Sequence, residues 1–245
     1  MKRIITIATL AFAMSGSIVA QNTDGVWTLN TRAWSTNYFT SAIYGLIREG
    51  AISLIMNGNT EDSLLVERIV PNADFVLPIG MGKKGFGDDK IYGPYHRAFG
   101  NPFKHIGDYA VGVDATWHPS LLGLYAGAYF KSQEIVSKNY GSLRGYYIQP
   151  RVGIMVGNKV HTFDAGVFYD VLTGSGGSAA DTNKDRLKGG WGLDFTFSTT
   201  DKKRRSAGIV QISVPLHNFL NPDYAGQQGM KRKVGYIMFS ERIYL

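Results

Sequence analysis

The stretch Tyr109-Ala-Val-Gly-Val-Asp-Ala-Thr-Trp117 decides how this chain is read. Tyr109, Val111, Val113, Ala115 and Trp117 fall on one face, and Ala110, Gly112, Asp114 and Thr116 on the other. A period of two with one apolar face is the mark of a β-strand. Taken as 108–117, it is the first of seven such runs, followed by 121–134, 145–157, 160–172, 190–199, 205–216 and 233–245. Leu122, Leu124 and Phe130 oppose Tyr125, Tyr129, Lys131 and Gln133 in the second, and Ile148, Val152 and Ile154 oppose Gln149 and Arg151 in the third. Phe163, Val167 and Tyr169 oppose Asp164 and Asp170 in the fourth, and Trp191, Phe195 and Phe197 oppose Asp194 in the fifth. The last run is less regular, because Glu241 shares the side of Ile237, Phe239, Ile243 and Leu245, opposite Ser240 and Arg242.

These runs exceed the 5–6 residues usual in soluble sheets and match or exceed the roughly 9–11 needed for a tilted strand to cross a bilayer. The connections 118–120, 135–144, 158–159, 173–189, 200–204 and 217–232 are 3, 10, 2, 17, 5 and 16 residues long, so short and long alternate. Short turns on one side of a membrane and long loops on the other give that parity. With the long loops outside, Tyr109, Phe130, Tyr146, Tyr169 and Trp191 form an outer aromatic girdle, and Trp117, Phe163 and Phe197 an inner one. Phe195 lies near mid-strand, outside either girdle. Pro150 and Pro215 fall inside expected strands, where they cannot donate to a ladder, so bulges or local register breaks near strand ends are expected there.

The first twenty residues read as a secretory signal peptide. Lys2 and Arg3 precede an apolar run from Ile4 to Met14, and small residues lead to cleavage after Ala20. Residues 21–245 then form one domain with 24 basic and 19 acidic residues, a net charge of +5. That mild bias on an exported chain gives no nucleic-acid footprint. With 44% hydrophobic and 18% charged residues the chain is not disordered. The absence of Cys excludes disulfides, thiol catalysis and Cys-ligated zinc.

Residues 21–107 are harder to read. Trp27–Trp34 alternates as a strand, Ser63–Leu77 reads as another, and a Gly- and aromatic-rich loop follows over 78–107. Between them, 39–57 carries both a helical face (Ile43, Leu46, Ile47) and a β-like run, Ala51–Met56. Single-chain barrels have even strand numbers. Three strands before residue 108 give ten, the favoured count. One strand plus a plug gives eight, and splitting 39–57 into two strands gives twelve.

The fold class expected is therefore all-β, a transmembrane antiparallel up-and-down β-barrel of about ten strands. In that architecture the chain resembles bacterial outer-membrane β-barrel proteins in general. The resemblance covers residues 108–245, and the terminal Tyr244-Leu245 looks like their assembly signal, although Leu245 departs from the usual Phe. It implies location in the outer membrane, with outer-membrane lipid and the assembly machinery as partners. No functional residue carries over from it.

Asp114, Lys131, Arg151, Asp164, Asp170, Asp194 and Arg242 occupy the polar faces and are expected to point into the barrel. They could line a narrow ion or solute path; in a barrel of eight to ten strands, a salt-bridged filling is the plainer reading. The loop residues Lys83, Lys84, Phe86, Tyr92, Tyr95, Arg97, Phe99, Phe103 and Lys104 form a candidate binding surface for polysaccharide or another envelope protein. Packing of those aromatics over the barrel mouth explains them equally well.

No enzyme, metal or cofactor is expected. The five histidines lack metal-ligand spacing, and no Gly-x-Ser-x-Gly is present. Asp181-Thr-Asn183-Lys-Asp185 opens like a calcium loop but has Arg186 at position six and Gly192 at position twelve, so an exposed polar tip is the better reading. Lys202-Lys203-Arg204-Arg205 reads as a charged turn. A small barrel with a structural or binding role through its outer loops is thus the leading expectation. A narrow channel, an outer-membrane lipid-modifying enzyme and a soluble periplasmic β-sandwich are the alternatives.

Overall fold

A computed structural model describes residues 27–37, 69–81, 91–92, 108–137, 141–158, 160–200, 206–224 and 233–244. The strands are β1 (Trp27–Ser35), β2 (Ile69–Met81), β3 (Ile91–Tyr92), β4 (Tyr109–Trp117), β5 (Leu122–Ser137), β6 (Gly141–Gly157), β7 (His161–Gly177), β8 (Gly190–Thr200), β9 (Ser206–Pro215) and β10 (Lys233–Tyr244). The fold is all-β. Its centre is a seven-stranded antiparallel meander, β4 to β10 in sequence order, with β1 paired to β4 and β2 to β10. The short β3 pairs with the far end of β5. Among the described residues no hydrogen-bonded ladder joins β1 to β2, so the sheet is not closed into a barrel by hydrogen bonds.

The sheet is nonetheless rolled. Gln133 of β5 bonds to Tyr236 of β10, and Ala110 of β4 packs on Tyr236 and Met238 of β10, although neither β4 nor β5 is a ladder neighbour of β10. The edge strands β1 and β2 approach within 8 Å. The inside of the roll is the polar face. Leu124 is 52% exposed while Tyr125 beside it is 5% exposed, and the same alternation runs along β6 to β8. Ile148, Val152, Ile154, Val156, Phe163, Trp191 and Phe197 all point outward, and Asp114, Lys131, Arg151 and Asp194 are buried.

The sheet has two unlike ends. The strand ends at Trp117 and Leu122, Gly157 and His161, and Thr200 and Ser206 lie at one, the turn end, and those at Met81, Tyr109, Ser137 and Gly141, Gly177 and Gly190, and Pro215 and Lys233 at the other, the loop end. Here the structure corrects the sequence reading. The connection expected over 135–144 shrinks to 138–140, because β5 and β6 continue in register from Gln133↔Gly145 to Ser137↔Gly141. Gly141, at φ +78, supplies the backbone that closes this hairpin. Strict alternation of short and long loops therefore fails, although the longest connections stay at one end. In the overhang the alternation changes meaning: Ile135, Leu143 and Tyr147 are buried, and Glu134 and Arg144 reach the other face.

Neither proline shifts the register, although the β6–β7 pairing is interrupted at Gln149 and Pro150. Pro150 keeps its register with Ala128, and Pro215 ends β9 opposite Gly192. The bulges occur where β7 passes Tyr146 and Tyr147, and where β10 passes β2 between Glu241 and Ile243. At the first, Thr173 is the extra residue, and its hydroxyl donates to the Tyr146 carbonyl at 2.9 Å. Strand β2 runs later than the expected 63–77 and occupies the start of the expected loop. The signal peptide, the ambiguous stretch 39–57, the turn 202–205 and Leu245 lie outside the described residues.

Candidate functional site

The inner faces of β4 to β10 bring together five of the seven expected interior charges in two clusters. In the first, the Arg151 guanidinium lies 3.5 Å from Asp114 and 3.2 Å from Asp194. These contacts are ionic, without linear hydrogen bonds through Arg151 Nε or Asp194 Oδ2. The guanidinium is also held between the rings of Tyr125 and Tyr129, 5.3 and 4.9 Å from their centroids, and the Tyr129 hydroxyl donates to Asp114. In the second cluster Lys131 Nζ sits 2.7 Å from Asp170, over the rings of Tyr147 and Phe168. Gln149 Nε2 donates to the other Asp170 oxygen at 2.8 Å.

Asp164 is in neither cluster's ion pairs. Asp164 lies nearer the turn end on β7, half-buried, paired across the ladders with Met155 and Thr196. Arg242 is placed by its backbone alone, opposite Ala207. Of the loop surface, Tyr92 is placed by its backbone in β3. Lys83, Lys84, Phe86, Tyr95, Arg97, Phe99, Phe103 and Lys104 lie outside the described residues.

Small residues let the aromatic filling lie flat across neighbouring strands. A Cβ at Gly192 would come within 2.0 Å of Phe168 Cζ, and one at Gly166 within 2.1 Å of Tyr125 Oη. The packing leaves a cavity of about 20 Å³ bordered by Tyr129, Lys131, Arg151, Asp194, Gln211 and Tyr236. That is room for about one water.

Over the loop end lies a cap that the sequence did not announce. Segments 178–189 and 216–224 join through Lys188 N to Phe219 O, Asn221 N to Arg186 O and a bridge between Leu187 and Leu220. Leu187, Phe219 and Leu220 pack with Ile135, Leu143 and Tyr147 of the β5–β6 overhang into one apolar cluster. The polar tip at 181–185 is exposed, as expected, and is also held in place. Asn183 caps the 3-10 turn Lys184–Arg186, and Tyr224 donates to Asp181 at 2.8 Å. His217 reaches from this cap into the interior, with Nε2 3.0 Å from Asp170. Its burial outweighs the pull of Asp170 and lowers its pKa to about 4, so near neutrality it is an uncharged donor to that carboxylate.

A third cluster lies beside the cap, where Asp108, Gln133 and Tyr236 form a chain of hydrogen bonds. Their sequence signal was parity: Asp108 shares a face with Ala110 and Asp114, and Gln133 with Lys131. No group of metal-ligating residues occurs among the described residues. Comparison with protein-family models and with curated proteins finds no match.

Proposed function

We propose that this protein is a small β-barrel of the bacterial outer membrane, with a filled interior and its working surface at the loop end, where it has a structural role or binds a ligand or partner. The observation that carries the proposal is the inverted alternation of β4 to β8, with charged groups inside and Leu, Ile, Val, Phe and Trp outside. Leaving one such side chain in water forfeits roughly 1.5–3 kcal/mol relative to burying it. Over a face this large the loss reaches tens of kcal/mol, more than the roughly 5–15 kcal/mol that holds a domain together. Lipid removes that cost. The change in the β5–β6 overhang, where Ile135 and Leu143 turn apolar side chains inward, supports an end of the lipid-facing band just beyond Phe130 and Tyr146, whose rings stack 6.3 Å apart.

In this reading the turn end is periplasmic and the loop end extracellular. Both edge strands run from turn end to loop end, so β1 and β2 cannot pair antiparallel with each other. Ser35 leaves β1 at the loop end, and Ile69 enters β2 at the turn end. One descending strand from the intervening sequence would close the barrel antiparallel, with ten strands on the wall. Among the described residues, the two ion-pair clusters and the aromatic rings packed on them occupy the interior, which favours a filled barrel over an open channel.

Quenching of tryptophan fluorescence in vesicles of brominated lipid tests the reading. Trp117 and Trp191 are both exposed on the outer face, and both are expected to be quenched. Emission indifferent to bromine, or a protein that stays in solution without lipid or detergent, would refute it. Large steady conductance in planar bilayers would replace the filled barrel with the channel.

A further inference from the structure

Asp108 is fully buried, and among the described residues no cation is in ion-pair contact with it. It sits one residue before β4, at the level of the β5–β6 overhang. Its backbone holds the end of β1, accepting from Thr36 N at 2.8 Å and donating to Thr36 Oγ1 at 2.8 Å. Its carboxyl spans the mouth of the roll. Oδ1 accepts from Glu134 N of β5 at 2.7 Å, and Oδ2 from the Tyr236 hydroxyl of β10 at 2.7 Å. Gln133 Nε2 of β5 donates in turn to that hydroxyl at 2.6 Å. One side chain thus joins two flanks of the sheet that share no ladder.

We propose that Asp108 is a proton-operated lock across the loop end: uncharged, it holds the β10 flank against β4 and β5, and charged, it draws in water and loosens that contact. A neutral carboxyl keeps acceptor capacity for Glu134 N and Tyr236. Among the described residues only those two donors solvate an ionised one, in a site buried from solvent. Among the described residues the titratable and charged groups facing it are Glu134, Arg144, Tyr236 and, through the field of its own charge, Tyr147 on β6. Glu134 on β5 disfavours its charge, Arg144 on β6 favours it but is paired with Glu134 at 3.0 Å, and Tyr236 on β10 donates to it. Ser35, Thr36 and Asn37 at the end of β1 carry no charge.

Burial dominates and raises the Asp108 pKa to about 6. Because the folded value lies above the unfolded one, its contribution to the closed mouth is complete below about 3.9 and is lost as pH rises through 6. The lock is therefore tight in acid and loose at neutrality. It depends on the rolled sheet and not on the membrane, so the barrel reading and this one can fail separately.

The test is carbon-13 NMR of the Asp108 carboxyl in the full folded protein, with amide exchange at Thr36 and Glu134. A midpoint near 6 is expected. Opening at both amides, corrected for intrinsic exchange chemistry, should rise about tenfold from pH 5 to 7. Asp108→Asn should stay closed across that range. Should Asp108→Asn not fold, Tyr236→Phe decides: loss of a donor to the charged form should move the midpoint higher and raise exchange in acid as well. A midpoint near 4, pH-independent opening, an Asn variant that keeps the pH dependence, or a Phe variant with an unmoved midpoint would each overturn the lock.

Discussion

Arg151 is the residue on which the polar interior turns, because it is the cation in contact with both Asp114 and Asp194. Arg151→Ala is expected to cost about 3–5 kcal/mol, since it strands buried carboxylates and does not merely delete a contact. Converting Asp114 and Asp194 to Asn alongside Arg151→Met should recover most of that loss, as neutral groups need no counter-charge. Urea unfolding in vesicles reads both variants, and an equal loss in the triple variant would contradict the ionic account. Gly192→Ala tests the packing: its Cβ would displace the Phe168 ring, at roughly 1–3 kcal/mol. A neutral outcome would mean that Phe168 has room the structure does not give it. The interior charges were legible in the sequence as one parity class. Which of them would meet was not, because contacts between β4, β6 and β8 depend on how tightly the sheet rolls.

At the scale of elements, the strands were read most faithfully where the apolar-outside alternation persists and least where it stops. The β5–β6 overhang beyond residue 134 was read as a loop. The pairing continues regardless, with Ile135 and Leu143 now turned inward. The period of two survives in the overhang, but the face that is apolar does not. The cap was illegible for another reason: segments 178–189 and 216–224 meet through backbone bonds and the scattered residues Leu187, Phe219 and Leu220, with no periodicity. Phe219→Ala should expose 178–189 to protease while leaving the unfolding midpoint of the strands nearly unchanged. His217 gives the cap an acid limit. Its lowered pKa means that the stability it contributes is full above about 6.5 and is lost as pH falls toward 4. Faster proteolysis of the cap at pH 4 than at pH 7 is expected, with the difference reduced in His217→Gln; equal rates would remove His217 from the account. Its sign is opposite to that of Asp108, so the two ends of the acid range stress different contacts.

For the whole molecule, the sequence carried the all-β antiparallel meander because seven runs share one period and follow one another in the sheet. The count of strands before residue 108 was less accessible, since 39–57 satisfies two periods at once. The direct test of a lipid-facing barrel is the mobility of the protein from washed membranes on gels, unheated against boiled. A closed barrel keeps its ladders in detergent, so the unheated form should migrate apart from the boiled one and fractionate with the outer membrane. A protein that is soluble without detergent, and whose mobility does not change on boiling, would contradict the account.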